Sequence, residues 1–323
     1  MSDSADLVTS FQVVGPEELS AAIRNSNLET CQLSRSPAPS WMARALCTDL
    51  CLDIVELGPA MLFSGAMPVN CYTLVFVTKC PNKGHSFNFS TEHVDGYIGF
   101  FPPGGALDAH TPEGYANATL TVAADVFLAA VTKSFPEMPG RILTRGAGMR
   151  INPPEQSELR LLVDAVIANA KENNPLNSHL IRRARLEKVL LDSFLRILRA
   201  GCEQLIPPPN KRMTGKMHHL RLARDFIKES AKKSFQLDEL THAVGMSERG
   251  LEMLFHQTLG INPSAFIRHQ RLHGVRRALL AADPATFTVK ELALEWGFWH
   301  MGHFARNYQS IFGEKPSTTL MRS

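Results

Sequence analysis

The feature of this 323-residue sequence that most narrows its folding options is a repeat in its last quarter. The stretch "ELTHAVGMSERGLEMLFHQTLGINP", from Glu239, returns as "ELALEWGFWHMGHFARNYQSIFGEKP", from Glu291. Glu239, Leu240 and Gly245 match Glu291, Leu292 and Gly297 at an offset of 52. One residue is then gained, and Leu251, Phe255, Leu259, Gly260 and Pro263 match Phe304, Tyr308, Phe312, Gly313 and Pro316 at an offset of 53. Each copy begins with a short helix that has an apolar face: Leu237, Leu240 and Val244 in one, Val289, Leu292 and Trp296 in the other. A glycine follows, the residue that enters left-handed backbone most cheaply, and a second helix starts at once.

The helix ends are written locally. Ser247 is placed to cap the second helix of the first copy by accepting a backbone N–H, whereas His300 at the equivalent point is a weaker cap. Thr288 and Glu291 form the Thr-x-x-Glu of a capping box. Asn262-Pro263 opens the helix between the copies with a cap and a proline in its first turn. The periodicity predicts helices over 218–233, 237–244, 247–259, 263–281, 289–297 and 300–312.

Two helices joined by a tight glycine turn form a helix-turn-helix, whose second helix can enter the major groove of DNA. The bridging helix, Pro263 to Ala281, is about 28 Å long at about 1.5 Å per residue. That length suits two second helices one turn of duplex apart, about 34 Å. In the second copy Trp296, Phe298, Phe304 and Tyr308 are read as inward anchors, leaving Met301, Gly302, His303, Arg306, Asn307 and Gln309 for a partner. Charge agrees with a polyanionic one. Residues 211–323 hold 17 Lys+Arg against 10 Asp+Glu, and residues 1–210 hold 17 against 21, within an overall charge of only +3.

The rest of the chain reads differently. Residues 48–125 carry short β-branched or aromatic runs ("CLDIVEL", "CYTLVFV", "HSFNFS", "GYIGFF") between turn clusters, which suggests a sandwich or barrel. From 126 to 201 the spacing turns helical, most clearly in "QSELRLLVDAVIANAKE" and "SHLIRRARLEKVLLDSFLRILRAG", where Gly201 is the expected stop. "CEQLIPPPNKRMTGKM", residues 202–217, is read as a linker because three prolines cannot continue a helix. The expected domains are therefore 1–201, a linker at 202–217, and 218–323.

No run of about 18 or more apolar residues is present, so no membrane span is expected, and the acidic "MSDSADLVTSF" start does not read as a secretory signal. The six cysteines form no Cys-x-x-Cys pair, and His85, His93 and His110 fit no metal-ligand spacing. Reduced thiols in a cytoplasmic protein, with no metal and no cofactor, are the expectation. No catalytic constellation stands out, and "GAGMR" at 146–150 is too short for a phosphate loop. The alternatives weighed are an enzyme, or a ligand-free interaction domain, fused to a DNA-targeting tail.

Over residues 218–320 the sequence resembles the AraC/XylS family of bacterial transcription regulators. The likeness lies in F-x-x-x-x-G-x-x-P-x-x-F at Phe255–Phe266, Arg271-Leu272, Leu279-Leu280, "ELALEWGF" and "HFARNYQSIFGEKPS". It implies an α+β chain: an N-terminal cupin-like β-barrel with helices, for effector binding and dimerisation, and a C-terminal all-α domain with two helix-turn-helix units. It implies base-edge readers at Arg249, Glu252 and Met253 in the first unit and at Met301, Gly302, His303 and Arg306 in the second. Arg can address guanine bidentately and Glu can accept from cytosine. Asn307, Gln309, Arg268, Lys290 and Lys315 are the phosphate candidates. The implied partners are double-stranded DNA, RNA polymerase, a small-molecule effector and a second copy of the chain. Tyr97, Phe101 and Tyr115, in the turn-rich aromatic run, are the candidate effector contacts.

Overall fold

The protein is described by a computed structural model that covers residues 8–13, 15–23, 27–35, 38–82, 84–86, 91–171, 180–206, 211–233 and 235–322. The chain divides into two compact units. The first comprises Met1–Val14, Glu18–Thr30 and Pro37–Pro208, and the second Gly15–Glu17, Cys31–Ser36 and Pro209–Ser323. The triple proline lies outside the described residues. Lys211–Met217, expected as linker, are instead helical.

In chain order the described elements up to residue 206 are β1 (Val8–Val13), α1 (Pro16–Ala22), β2 (Asn27–Gln32), β3 (Ser40–Leu46), β4 (Leu50–Glu56), β5 (Met61–Ala66), β6 (Cys71–Lys79), β7 (Gly84–Ser86), β8 (Thr91–His93), β9 (Tyr97–Phe101), β10 (Ala106–Thr111), β11 (Ala116–Ala123), α2 (Ala124–Ser134), α3 (Gly140–Arg145), β12 (Ala147–Arg150), α4 (Pro153–Lys171) and α5 (Leu180–Glu203). The strands form two sheets, ordered β1-β3-β4-β11-β6-β9-β12 and β2-β5-β10-β7-β8. Among the described residues no ladder joins one sheet to the other, so the strands expected as a barrel stand here as two open sheets.

The alternation of side chains along a strand explains how the seven-stranded sheet buries both faces. Leu52, Ile54, Leu74, Phe76, Ala118 and Leu120 face the helices, where they share a core with Phe127, Leu159, Val163, Leu190, Phe194 and Ile197. The other face sends Met42, Val55 and Val77 into a second core with Met61 and Phe63 of the five-stranded sheet. The strand-rich span expected at 48–125 left out β1, α1, β2 and β3, and the helical span expected at 126–201 left out β12. β1 is an edge strand with mostly exposed side chains, and β12 is only four residues long. Gly201 does not stop α5. It lies inside the helix, where a Cβ would come within 2.8 Å of the Met149 sulfur, so it serves close packing instead.

Beyond residue 210 the described elements are α6 (Lys211–Glu229), α7 (Leu237–Val244), α8 (Glu248–Leu259), α9 (Pro263–Ala281), α10 (Val289–Glu295), α11 (Met301–Phe312) and α12 (Pro316–Leu320). The last of these was not anticipated. α9 is the spine. Its Phe266 ring meets Phe255 of α8 at 5.4 Å. Further along, Leu272, Val275 and Leu279 enter a core with Leu292, Ala293, Phe304, Tyr308, Ile311 and Leu320. The helix is buried on more than one face, so it lacks the single apolar stripe of a surface helix.

Candidate nucleic-acid interface

The sequence repeat is a repeat of hydrogen bonds. After α7, Gly245 takes φ +69°, and the Met246 N–H donates to the Thr241 carbonyl at 3.1 Å. After α10, Gly297 takes φ +80°, and the Phe298 N–H donates to the Ala293 carbonyl at 3.0 Å. These are the same atoms displaced by the 52-residue offset, and they satisfy helix-end carbonyls as a glycine C-terminus does. Gly260 and Gly313, at φ +70° and +74°, end α8 and α11, their own N–H groups donating to the His256 and Gln309 carbonyls at 3.1 and 3.0 Å.

The caps form as written. Ser247 Oγ accepts from the Gly250 N–H at 3.2 Å. Asn262 Oδ1 accepts from Ala265 at 2.7 Å. Thr288 and Glu291 exchange both bonds of their box, at 2.8 and 3.2 Å. His300 makes no side-chain cap bond. At the start of α7 Glu239 Oε1 accepts from the Gln236 N–H at 2.9 Å, a cap contact that the sequence reading missed.

Each second helix turns one face inward and leaves the other in solvent. In α8, Leu251, Leu254 and Phe255 are buried, while Arg249, Glu252 and Met253 are exposed. In α11, Phe304 and Tyr308 are buried, Gly302, His303, Arg306 and Gln309 are exposed, and Met301 and Asn307 are half-buried. Lys290, on α10, and Arg268, on α9, are exposed. The candidate readers therefore fall on the solvent faces of α8 and α11. Arg306 is folded along its own helix: Nε donates to the Gly302 carbonyl at 3.3 Å, and Nη2 lies 3.2 Å from His303 Nδ1. That pairing needs an unprotonated Nδ1, so His303 and Arg306 act as one polar unit.

The aromatic cluster splits, with Trp296 and Phe298 inward as expected and Trp299, which the sequence left unassigned, facing out. Trp296 packs against α9 where Gly274 leaves room for its ring, and Lys232 sits over that ring at 5.1 Å. Phe298 turns onto Phe304 at 5.1 Å. Trp299 does the opposite and is 74% exposed. It borders a groove of about 280 Å³ together with Arg268, Arg271, His300, His303 and Asn307. Its position in the turn, directly after the inward Phe298, was the one available sign that it faces away.

A second site belongs to the first unit. Between the two sheets lies a cavity of about 70 Å³. Leu19, Leu28, Phe63, Met67 and Leu107 give it apolar walls, and Asp53, Thr111, Tyr115, Asn117 and Thr119 bring polar atoms to it. Asp53 is held by a buried two-point pair with Arg44, at 2.6 and 2.9 Å. Burial pushes the Tyr115 hydroxyl well above its ordinary range. Of the three candidate effector contacts, Tyr115 lines this cavity. Tyr97 is buried in the adjoining core, and Phe101 is buried but does not line it. His85 and His93 have side chains outside the described residues, and among the described residues no group of three metal-ligating side chains occurs. No described helix is long and apolar enough to cross a membrane.

Comparison with known proteins identifies the second unit's architecture. A helix-turn-helix domain model matches residues 240–322. The XylDLEGF operon transcriptional activator 1 of Pseudomonas putida is 41% identical over 97 residues, covering 30% of this chain and 29% of that protein. A probable thc operon regulatory protein of Rhodococcus erythropolis is 38% identical over 101 residues, covering 31% and 30%. The chain thus spans about three tenths of the length of these curated relatives. A crystal structure of a probable AraC family transcriptional regulator from Rhodopseudomonas palustris CGA009 is 36% identical, covering 32% of this chain and 95% of that one, with a TM-score of 0.30.

Proposed function

This chain belongs to the AraC/XylS family of DNA-binding transcription regulators through the domain at residues 240–322, and from that premise we propose that it is a cytoplasmic, effector-responsive activator. It reads DNA with two helix-turn-helix units set in successive major grooves. The observation that carries this reading is the duplicated turn. Two helix pairs share one hydrogen-bond pattern, are joined by a 19-residue helix, and each leave a polar face exposed on the second helix. Arg249, Glu252 and Met253 are assigned to base edges through α8, and Met301, Gly302, His303 and Arg306 through α11. Arg268, Lys290, Asn307 and Gln309 are assigned to phosphates.

The regulatory half of the proposal concerns residues 1–201, with 202–217 as the connection to 218–323. Two facing sheets around a largely apolar cavity support a cupin-like effector domain, with Tyr115 at the ligand. Exposed Val189 on α5 and Leu161 on α4 support a homodimer face. RNA polymerase is the proposed partner for activation. No catalytic role, metal or cofactor is assigned.

The test is a genome-fragment pull-down with footprinting, comparing wild type with Arg306→Ala. Protection over two helical turns per subunit is expected, with the variant weakened and less selective at one base position, a loss of about 1–3 kcal/mol. Protection of a single turn, unchanged in the variant, would make α11 a scaffold and overturn the two-reader proposal. Light scattering at micromolar concentration tests the dimer, and a thermal-shift screen of metabolites tests the effector site.

A further inference from the structure

We propose that Trp299 is a DNA contact, whose indole seats on the sugar–phosphate backbone beside the major groove that α11 enters. The inference rests on the DNA-binding reading and adds to it a residue that neither the repeat nor the family likeness assigns. A tryptophan left 74% exposed needs a reason, because its large apolar surface is otherwise a liability in water. The other two large aromatics of the Trp-Gly-Phe-Trp turn do have partners. Trp296 lies on Gly274 and Phe298 lies on Phe304.

The groove beside Trp299 defines the chemistry of its occupant. Arg268 and Arg271 line it with His300, His303 and Asn307, and no carboxylate among the described residues does. Arg271 is a fixed cation. Its Nε donates to the Ala231 carbonyl at 3.1 Å and its Nη2 to the Lys233 carbonyl at 3.0 Å. The Phe235 ring lies 5.8 Å from the guanidinium carbon. The remaining Nη1 lies 3.4 Å from where a Cβ on Gly297, another residue of the groove wall, would stand. Charge held this way costs little reorganisation when an anion arrives. An indole offers one N–H donor and no acceptor, plus a broad apolar face. That pairing suits a phosphate oxygen next to a deoxyribose. It does not suit base stacking, since the base faces of a duplex are already covered by one another. An acidic peptide could meet the cations, but the groove continues onto the exposed reader face of α11 through His303 and Asn307, so the occupant is the duplex that α11 reads.

The experiment uses the full chain with a duplex carrying a site recovered by pull-down and a scrambled duplex of equal length. Trp299→Ala is expected to weaken both duplexes by about tenfold, the scale of one hydrogen bond to a charged group, and to leave their affinity ratio unchanged. Trp299 is neutral, so the slope of log affinity against log salt should stay put. Arg268→Ala should lower that slope by about one. Trp299→Phe keeps the apolar face and loses the N–H, and should fall between. Adding duplex should quench tryptophan emission in wild type and not in Trp299→Phe, where Trp41 and Trp296 remain. Urea midpoints report folding and should not move for so exposed a residue. Unchanged affinity in Trp299→Ala, with quenching retained in Trp299→Phe, overturns the proposal. Intact DNA binding with lost promoter activation also overturns it, by moving Trp299 to a protein partner. Wild type that binds neither duplex would sink the DNA-binding reading itself, a separate failure.

Discussion

Gly274→Ala should destabilise the C-terminal unit, although helix propensity alone predicts the reverse. Gly274 is a buried residue within α9, and alanine in a helix interior is worth about 1 kcal/mol more than glycine. The added methyl, however, would lie 2.1 Å from Trp296 Cζ3 and 2.3 Å from both Cε3 and Cη2. Carbon atoms rest at about 3.5–4.0 Å, so the ring must retreat by more than 1 Å (roughly, by difference from that optimum). Overpacking of this kind costs about 1–3 kcal/mol, and a tryptophan pushed off its seat forfeits part of the roughly 3–5 kcal/mol that deletion of a buried one removes. Set against the propensity gain, the net loss is about 2–3 kcal/mol. Urea unfolding of the C-terminal unit should show a midpoint lower by about 1 M with an unchanged slope. The double variant Gly274→Ala/Trp296→Leu should be more stable than additivity allows, because the smaller side chain relieves the clash. Trp296 directly precedes Gly297, so the displaced ring should also misaim α11 and weaken DNA binding. A Gly274→Ala protein that is more stable than wild type by about 1 kcal/mol, or strict additivity in the cycle, would refute the reasoning.

Stability should also depend on pH through His269 and His273 of α9, both buried and both pushed down to about 4 by burial. Their folded values lie below the unfolded value, so the unfolded chain binds protons first as pH falls. Stability should be level above pH of about 6.5 and decline down to about 4, by at most about 3 kcal/mol for each histidine. Chemical unfolding at a series of pH values should show a shallower acid limb for His269→Leu, and an unchanged limb would count against the assignment. Among the caps, Ser247→Ala and Thr288→Ala should each cost about 1 kcal/mol, while Thr288→Ser should be nearly silent in the same unfolding assay.

What was legible in the sequence was local. The duplicated glycine turns, the Ser247 and Asn262 caps, the Thr288–Glu291 box and the bounds of α7, α9 and α11 depend on contacts within a few residues. Side-chain chemistry at close spacing therefore determines them. The outward set on α8 and α11 was legible for the same reason, since helical period separates it from Leu251, Phe255, Phe304 and Tyr308. Three-dimensional neighbours decided the rest. Spacing marked Trp296 and Phe298 as inward, but only packing seats them on Gly274 and Phe304 and leaves Trp299 out. Arg271 became a fixed groove cation because carbonyls about 40 residues away hold it. In the first unit, alternation marked strands but not their partners. Pairing β11 between β4 and β6, and β5 beside β10, joins residues far apart in sequence, and no local signal encodes which of two apolar faces meets which layer. The cavity at Tyr115 arises from that pairing, so its walls could not be read along the chain, whereas the turn at Gly297 could.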